Sequence, residues 1–384
     1  MRRLLTIGHS YTVGVNRRLA HEMALAGKNR WEVTCAAPRF VIGDLRPIEL
    51  EAIDEEACHL EPVSLRMTSR PHFMTYARDA KRLVTSGAWD LIHAWEEPYI
   101  PAGWQISRWA KKIAPFVFYT YQNISKRYPP PFNWLENETL RNSTAWIAGG
   151  HTVEDAMMSR SGYADHPHAR ISLGVDTNLF QPYTERGNRI LSSLNWSASG
   201  PPIIGFLGRF VLDKGVNLLM KALDGLQTGW RALFVGGGVL ERKLRHWGSQ
   251  YGDRVRIVTG ITHTQVPDYL NAMDILAAPS QTTPRWKEQL GRMLIEGFAS
   301  GLPVVGSNSG EIPSVLGDCG LVVEESSDSA WKKTLGELIE NASYRNELGE
   351  KGRDRAITHF SWPVIAKRNI DFFDQLLDSP IPKH

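Results

Sequence analysis

Short runs of apolar and β-branched residues alternate along the chain with longer stretches in which apolar positions recur every three or four residues. The runs are typical of buried strands and the longer stretches of amphipathic helices, so their alternation predicts βαβ units and parallel sheets. We predict strands at residues 4–8, 32–38, 90–95, 116–121, 145–150, 203–208, 232–237, 255–260, 274–279 and 302–307.

This alternation stops at residues 175–202, which are rich in turn-forming residues and show no sustained period. A linker here divides the chain into two α/β halves, each long enough for its own doubly wound sheet. A chain of 384 residues also exceeds what one hydrophobic core usually supports. The prediction is therefore an α/β protein with two domains, residues 1–180 and 181–360, and with its ligand site in the cleft between them.

Composition and charge narrow the classes of protein that remain. Hydrophobic residues make up 42% of the chain and charged residues 22%, which is typical of a globular protein, and no apolar run approaches the roughly 18 residues of a membrane-spanning helix. The opening MRRLLTIGHS is interpreted as a buried strand, because its apolar run is too short for a signal peptide. Three widely spaced cysteines fit a reducing cytoplasm. A net charge of +3 without a dense basic stripe argues against nucleic-acid binding, and it leaves open a peripheral association with the inner face of a membrane.

The loop after the strand at 203–208 carries two cations, Arg209 and Lys214, and Gly215 then opens an amphipathic helix. Cations beside a helix start favour phosphate binding. Their charge-assisted hydrogen bonds contribute about 1.5–3 kcal/mol each, which exceeds the ~0.3–1 kcal/mol of the helix dipole. The alternative is that both side chains are ordinary solvated loop charges.

Two glutamates, Glu288 and Glu296, lie eight residues apart in EQLGRMLIEGFASGLPVV (288–305). We predict a helix at about 290–300. Eight residues of continuous helix advance ~12 Å and leave the two carboxylates about 80° apart. That spacing suits the sugar and the ribose of a nucleotide diphosphate sugar, with the backbone amides of Leu290 and Gly291 holding the diphosphate. The alternative is a solvated acidic face, although the apolar sequence after Glu296 favours burial.

One histidine near the end of the strand at 90–95 and two acids after this strand are candidates for acceptor binding. His93 lies near the end of this strand, and Glu96 and Glu97 come directly after it. In a parallel sheet, these residues approach the edge where ligands bind. A core histidine and two solvated acids are the alternative interpretation.

The pairing of GRFVLDKG (208–215) with EQLGRMLIEGFASGLPVV resembles the signature of the retaining glycosyltransferases of family 4, which have the GT-B fold of two facing Rossmann-like domains. The resemblance covers nearly the whole chain and extends to HARISLGVDTNLFQP (168–182), LFVGGGVLE (233–241), VRIVTGITH (255–263) and FSWPVIAKRNIDFFDQLL (360–377). The last of these implies that residues 361–384 form a helix that returns to the first domain.

The resemblance also implies roles for individual residues. Arg209 and Lys214 would bind the donor diphosphate, Glu288 the donor sugar and Glu296 the ribose, while Ile261 would flank the base. The catalytic set would be Glu288, Arg209 and Lys214. The donor-binding segment would also include Gln289, Leu290 and Gly291.

Two positions depart from the family pattern. Gly14 matches part of a Gly-Gly loop near the phosphates and the acceptor, but the second glycine is absent. Gln122 stands where relatives commonly have a histidine, and glutamine cannot titrate. Gln122 and the following Asn123 are acceptor-side candidates, and a reaction at this site would not need an imidazole there.

The function that the resemblance implies is retaining transfer of a hexosyl unit from a nucleotide diphosphate sugar, with UDP as the expected base, to a hydroxyl of a glycan or lipid-linked acceptor in polysaccharide or glycoconjugate assembly. The sequence has no Asp-x-Asp motif, so we expect no metal and no cofactor beyond the nucleotide sugar. A nucleotide-sugar epimerase and a non-catalytic sugar-nucleotide sensor are the alternatives. A nicotinamide dehydrogenase is a third and weaker alternative, because GGGVLE (236–241) lacks the third glycine of the dinucleotide fingerprint.

Overall fold

The computed structural model describes residues 1–42, 47–53 and 55–378. These residues divide into two compact units, Met1–Ser172 with the chain from Trp362 onward, and Leu173–Ser361. The structure therefore assigns residues 173–180, which the sequence analysis placed in the first domain, to the second unit. The physical reason is packing: Val175 and Phe180 are buried in the core of the second unit, and the Val175 N–H donates to the Phe360 carbonyl at 2.8 Å.

The first unit is built on a seven-stranded parallel sheet with strand order β11-β10-β9-β8-β1-β2-β5. Its elements, within the described residues, are β1 (Arg2–Ile7), α1 (Gly14–Ala26), β2 (Trp31–Pro38), β3 (Phe40–Ile42), β4 (Pro47–Glu49), β5 (His59–Val63), β6 (Leu65–Arg66), β7 (Thr75–Tyr76), α2 (Arg78–Ser86), β8 (Leu91–Ala94), α3 (Pro101–Ala110), β9 (Phe116–Thr120), α4 (Phe132–Asn142), β10 (Ala145–Ala148), α5 (His151–Met158) and β11 (His168–Arg170).

The second unit is built on a six-stranded parallel sheet with strand order β14-β13-β12-β15-β16-β17. Its elements are α6 (Thr184–Ser193), β12 (Ile203–Arg209), α7 (Val216–Asp224), β13 (Arg231–Gly237), α8 (Glu241–Gly248), β14 (Val255–Val258), α9 (Val266–Leu270), β15 (Ile275–Ala278), α10 (Arg292–Ala299), β16 (Val304–Ser307), α11 (Ile312–Leu316), β17 (Leu321–Val323), α12 (Asp328–Glu340) and α13 (Ala342–Arg355). The last helix of the chain, α14 (Trp362–Asp378), belongs to the first unit.

The second sheet is covered on both faces, which explains why its strands are apolar throughout. Ile203 and Leu276 pack in one hydrophobic cluster, and their neighbours Ile204 and Ile275 pack in another. Successive side chains of a strand point to opposite faces, so the two clusters lie on opposite sides of the sheet. Continuous apolar runs of this kind are typical of parallel strands between helices. All ten predicted strands are strands of the two parallel sheets, and the predicted α/β class is confirmed.

The terminal helix α14 packs against α1, and Asp374 anchors it to the first two strands. The Arg2 guanidinium donates to Asp374 Oδ1 at 2.7 Å, and Trp31 Nε1 donates to the same oxygen at 2.9 Å. Arg30 also bonds this carboxylate. The expected return of the C-terminal helix to the first domain is therefore confirmed for Trp362–Asp378, and residues 379–384 of the predicted segment lie outside the described residues.

Within the described residues, the sequence analysis missed seven short strands: three lie at edges of the two large sheets, and the other four form the two-stranded sheets β3-β4 and β6-β7. β5 and β11 form the two edges of the first sheet, and β17 forms one edge of the second. An edge strand has one row of backbone partners and more contact with water, which agrees with the polar sequences HLEPV of β5 and HAR of β11, whereas β17 (LVV) is apolar but only three residues long. Proline within β5 is likewise typical of an edge.

Candidate active site

The first set of predicted site residues lies at the carboxyl ends of β12 and β15 in the second unit. Arg209 is the last residue of β12 and is exposed, and Lys214 lies in the loop that leads to α7. Gly215 has a left-handed φ of 70°, and a Cβ there would lie 1.7 Å from the Pro279 carbonyl oxygen. Only glycine fits this close approach, which holds the Lys214 loop against the loop that follows β15.

Lys214 and Glu288 are in direct contact although 74 residues separate them. Lys214 Nζ donates to Glu288 Oε2 at 2.5 Å, and Ser280 Oγ donates to the same oxygen at 2.8 Å. Lys214 Nζ also lies 5.0 Å from the centre of the Trp286 ring, within cation–π range. Both charged side chains are largely buried, and removing one partner of a buried pair typically costs about 3–5 kcal/mol because the other charge is left unpaired. The structure thus brings together two of the three residues predicted to be catalytic.

The backbone of Glu288 is held by the loop after β16, which the sequence analysis did not single out. The Glu311 N–H donates to the Glu288 carbonyl at 3.0 Å. Gly310 has a left-handed φ of 54°, and a Cβ there would lie 2.0 Å from that carbonyl oxygen. Ser309, in the same loop, is fully buried, and its hydroxyl pairs with that of Thr282 at 2.9 Å. The signal that could have indicated this loop is the turn sequence SNSG (307–310), which comes directly after a buried strand.

The helix geometry that was used to relate Glu288 to Glu296 is wrong for Glu288. The helix α10 begins at Arg292, and Gly291 precedes it with left-handed angles of φ 73° and ψ 69°. The chain therefore changes direction between the two glutamates, so the rise of ~12 Å and the rotation of about 80° do not apply. Leu290 packs into the hydrophobic core before the helix, whereas Gln289 is exposed.

Glu296 lies on α10 and is only 5% exposed. Burial raises the pKa of Glu296 to about 7, although the positive charge of Arg292 lowers it. His263 Nε2 lies 3.8 Å from Glu296 Oε1, and burial lowers the pKa of His263 to about 4, with Arg292 acting in the same direction. The imidazole is therefore neutral at pH 7 and does not neutralise the glutamate. Ile261, the predicted base-side residue, lies two positions before His263 in the loop after β14, so the structure brings this loop to Glu296.

Gly14, at the start of α1, is the first of the predicted residues in the first unit. Its N–H donates to Glu51 Oε2 at 2.6 Å. A Cβ at this position would lie 3.1 Å from Ile53 and 3.2 Å from that carboxylate oxygen, so the segment around Glu51 leaves little room for a larger residue. The backbone N–H of Gly14, which the resemblance placed near the donor phosphates, is thus bonded to the Glu51 carboxylate in this structure.

His93 lies in the core of the first unit, where the structure supports the core interpretation rather than an acceptor role. Its side chain is fully buried, Nδ1 lies 2.9 Å from the Thr6 hydroxyl, and its ring packs 5.5 Å from the ring of Phe373 on α14. Burial lowers the pKa of His93 to about 3, so the imidazole is neutral.

Gln122 and Asn123 are both buried in the loop after β9. Gln122 Nε2 donates to the Tyr128 hydroxyl at 2.8 Å, and its Oε1 accepts from the Ile124 N–H at 3.3 Å. The amide is therefore held at both ends, which fixes its orientation. Nearby, Glu97 accepts from the Thr120 hydroxyl at 2.6 Å, and burial raises the pKa of Glu97 to about 7 although this bond lowers it.

The sequence analysis did not single out His9, which follows β1 and contacts the buried Glu96. His9 Nδ1 lies 2.7 Å from Glu96 Oε2, and the His9 backbone N–H donates to Glu96 Oε1, also at 2.7 Å. Its position directly after the first predicted strand was the available signal.

Neither a metal cluster nor a membrane span is found in the described part of the chain. Within residues 1–42, 47–53 and 55–378, no group of three or more His, Cys, Asp or Glu side chains is placed to hold a metal ion. In the same residues, no helix combines the length and hydrophobicity that a membrane crossing requires.

Comparison with known proteins gives matches over most of the chain. The model of the family described as "Glycosyltransferase Family 4" matches residues 14–179, and that of "Glycosyl transferases group 1" matches residues 195–355. A GDP-mannose-dependent monoacylated alpha-(1-6)-phosphatidylinositol monomannoside mannosyltransferase of Corynebacterium glutamicum is 28% identical over 216 residues, which are 54% of this chain and 57% of the relative. The chain therefore aligns with little more than half the length of that protein.

A second relative and a solved structure align more extensively. A D-inositol 3-phosphate glycosyltransferase of Corynebacterium glutamicum is 29% identical over 307 residues, covering 72% of this chain and 70% of the relative. The structure of HepE from Anabaena in complex with UDP covers 98% of this chain and 100% of its own, with a TM-score of 0.73 and 17% sequence identity. Because the two family models together cover residues 14–179 and 195–355 and the folds match, this chain belongs to the family 4 glycosyltransferases and has the GT-B fold.

Proposed function

We propose that this protein transfers a hexosyl unit from a nucleotide diphosphate sugar to a hydroxyl acceptor, with retention of anomeric configuration and without a metal ion. The observation that carries the proposal is the contact between Lys214 and Glu288 at the carboxyl ends of β12 and β15. A cation and a carboxylate held side by side match the two parts of the donor, a diphosphate and a polyhydroxylated sugar.

The Lys214–Glu288 contact also suggests how the donor is received. The diphosphate oxygens compete with Glu288 for the Lys214 ammonium, because a charged phosphate oxygen is a strong acceptor. Each carboxylate lone pair that Lys214 leaves can then accept a hydrogen bond from a sugar hydroxyl. Ser280 remains bonded to Oε2 and keeps the carboxylate in position. Binding of the diphosphate thus prepares Glu288 for the sugar.

The chemical step builds negative charge on the departing diphosphate and positive charge on the anomeric carbon. Lys214 and Arg209 would stabilise the leaving group, since preorganised charges are usually the largest catalytic contribution. In this mechanism the departing phosphate oxygen accepts the proton of the acceptor hydroxyl, which attacks the same face of the sugar. Such a reaction requires no enzyme carboxylate as nucleophile, in contrast to retaining glycosidases.

Two donor bases are candidates. UDP was expected from the resemblance, and the matching HepE structure contains UDP. GDP-mannose is favoured by the mannosyltransferase relative, whose name specifies this donor. The names of both relatives include an inositol phosphate group, which supports a glycoconjugate or its precursor as the acceptor.

The test is donor turnover by wild type and by Glu288→Ala, with UDP-glucose and GDP-mannose as donors. Wild type is expected to release nucleoside diphosphate, and Glu288→Ala to lose this activity while still binding the nucleotide. Glu337→Ala is the matched control, because Glu337 is an exposed glutamate on α12 of the same unit. NMR coupling constants of the transferred sugar report retention, and EDTA tests independence from metal.

The same assay separates the alternatives. An epimerised sugar still attached to nucleotide would support the epimerase. Binding without any turnover of either donor would support the sensor. Full turnover by Glu288→Ala would contradict the role assigned to this glutamate.

A further inference from the structure

A buried polar cluster of the first unit surrounds Glu96, directly after β8. Both oxygens of this carboxylate are bound: Oε1 accepts from the His9 N–H at 2.7 Å and from the Tyr76 hydroxyl at 2.6 Å, and Oε2 contacts His9 Nδ1 at 2.7 Å. The Glu96 side chain is fully buried, whereas the His9 side chain is 36% exposed. The cluster therefore connects the interior of the unit to its surface through one imidazole ring.

The arrangement fixes the His9 ring and leaves one edge of it available. With Nδ1 bonded to Glu96, the opposite edge of the partly exposed ring carries Nε2. Among the residues that the structure describes, none forms a hydrogen bond to this nitrogen. A histidine oriented by a buried carboxylate at one nitrogen, with the other open, is the arrangement that proteins use to present an imidazole to a ligand.

The electrostatics favour a ring that donates from Nε2. Burial alone lowers the pKa of the His9 imidazole, but the Glu96 carboxylate, through its charge and its hydrogen bond, raises it above the ordinary value, and Glu97 adds to this effect. A protonated ring carries a proton on both nitrogens. The charges around it are acidic, since Glu96 and Glu97 lie on the same loop, so the cluster as a whole does not favour an anionic ligand.

The position of the cluster in the sheet indicates what kind of ligand it meets. β1, β8 and β9 are neighbours in the first sheet, and His9, Glu96 and Gln122 follow their carboxyl ends. Ligands of open α/β sheets bind at this edge. The turn that carries His9 is also tightly packed, because a Cβ at Gly8 would lie 2.9 Å from the Trp95 carbonyl oxygen.

We propose that His9 is an acceptor-binding residue: Glu96, itself bonded by Tyr76, holds the ring, and Nε2–H donates a hydrogen bond to a hydroxyl oxygen of a polyhydroxylated acceptor, a sugar or a cyclitol. This inference rests on the proposed function, because the donor residues lie in the second unit and the reaction needs an acceptor hydroxyl. His9 acts as a positioning residue and takes no part in proton transfer.

The first experiment measures turnover with two neutral probes, myo-inositol and methyl α-D-mannopyranoside, as acceptors. His9→Gln is expected to lower kcat/KM for the probe about 10- to 100-fold, the effect of losing one hydrogen bond from a charged donor. Tyr76→Phe, which removes one bond to Glu96 and leaves His9 in place, is expected to cause a smaller loss. His59→Gln is the matched control, because His59 forms a similar pair with Glu61 at 2.8 Å on β5 and is expected to retain wild-type kcat/KM.

A second experiment does not depend on turnover. The Cε1 resonance of His9 in the full chain, assigned with His9→Gln, is followed by NMR while each probe is added, and inorganic phosphate is the third probe. A shift with either polyol and none with phosphate supports the proposal. A shift with phosphate alone, or with no probe, overturns it.

The turnover assay distinguishes a failure of the proposed transferase function from a failure of the acceptor role of His9. If wild type turns over neither donor, the proposed function fails, whatever His9 does. If wild type transfers sugar to a probe and His9→Gln does so equally well, only the acceptor role of His9 is overturned. Measured nucleotide affinities and melting temperatures of the His9 and Tyr76 variants distinguish a loss of positioning from a loss of folding.

Discussion

The buried glutamate Glu296 gives a prediction whose magnitude follows from its pKa. Burial raises this pKa from 4.5 to about 7 in the folded protein, with the charge of Arg292 opposing the rise. Below pH 4.5 the carboxyl is protonated in both the folded and the unfolded chain, so it imposes no cost. As pH rises from 4.5 to 7, the unfolded chain ionises first and is stabilised relative to the folded one, so the free energy of unfolding falls across this range.

The expected loss is about 1 kcal/mol at pH 5 and about 3 kcal/mol at pH 8, since each unit of pKa corresponds to ~1.4 kcal/mol. Glu296→Gln removes the charge and keeps the shape of the side chain. The variant should therefore be more stable than wild type at pH 8, by an amount that shrinks at pH 5. The difference between the two pH values amounts to roughly 4–8 °C in melting temperature, at about 2–4 °C per kcal/mol for a unit of this size.

The assay is thermal denaturation of wild type and Glu296→Gln at pH 5 and pH 8, with the exposed Glu337→Gln as control. The nucleotide affinity of the same variants is measured by calorimetry with UDP and GDP. If Glu296 binds the ribose, Glu296→Gln binds nucleotide more weakly in spite of its greater stability, because an anionic acceptor is lost. An equal change in melting temperature at both pH values, or a less stable variant at pH 8, would refute the reasoning.

Two substitutions test the packing that supports the site and the terminal helix. Gly215→Ala should destabilise the second unit by more than ~1 kcal/mol and weaken nucleotide binding, because its Cβ would lie 1.7 Å from the Pro279 carbonyl oxygen and its φ is 70°. Gly260→Ala is the control, since Gly260 has a similar positive φ, of 77°, but its Cβ would meet nothing within 4 Å; equal melting temperatures for the two variants would contradict the steric argument. Asp374→Ala should lower the urea midpoint of the first unit by removing the acceptor of Arg2, which urea denaturation followed by tryptophan fluorescence measures; an unchanged midpoint would show that apolar packing alone holds α14.

Glu288 and Glu296 in the second unit show what could and could not be predicted from the sequence. The pattern predicted a donor site at both glutamates, which stays a prediction, and it indicated that Glu296 would be buried, which the structure bears out. The geometry relating them was wrong, because the prediction extended α10 backwards through Gly291. A glycine with positive φ ends a helix, but sequence alone does not reveal the φ that a given glycine adopts.

The sequence by itself determined the ten apolar strands, the α/β class and the division into two units. These features follow from local periodicity, since a buried parallel strand must be apolar on both faces and a helix between strands must be apolar on one. The tertiary structure decided which side chains meet. Lys214 reaches Glu288 across 74 residues and His9 reaches Glu96 across 87, because parallel strands bring their carboxyl ends together whatever their separation along the chain. It also decided that His93 lies in the core and that the pKa of Glu296 is raised, since burial is a property of the packed chain and not of the residue.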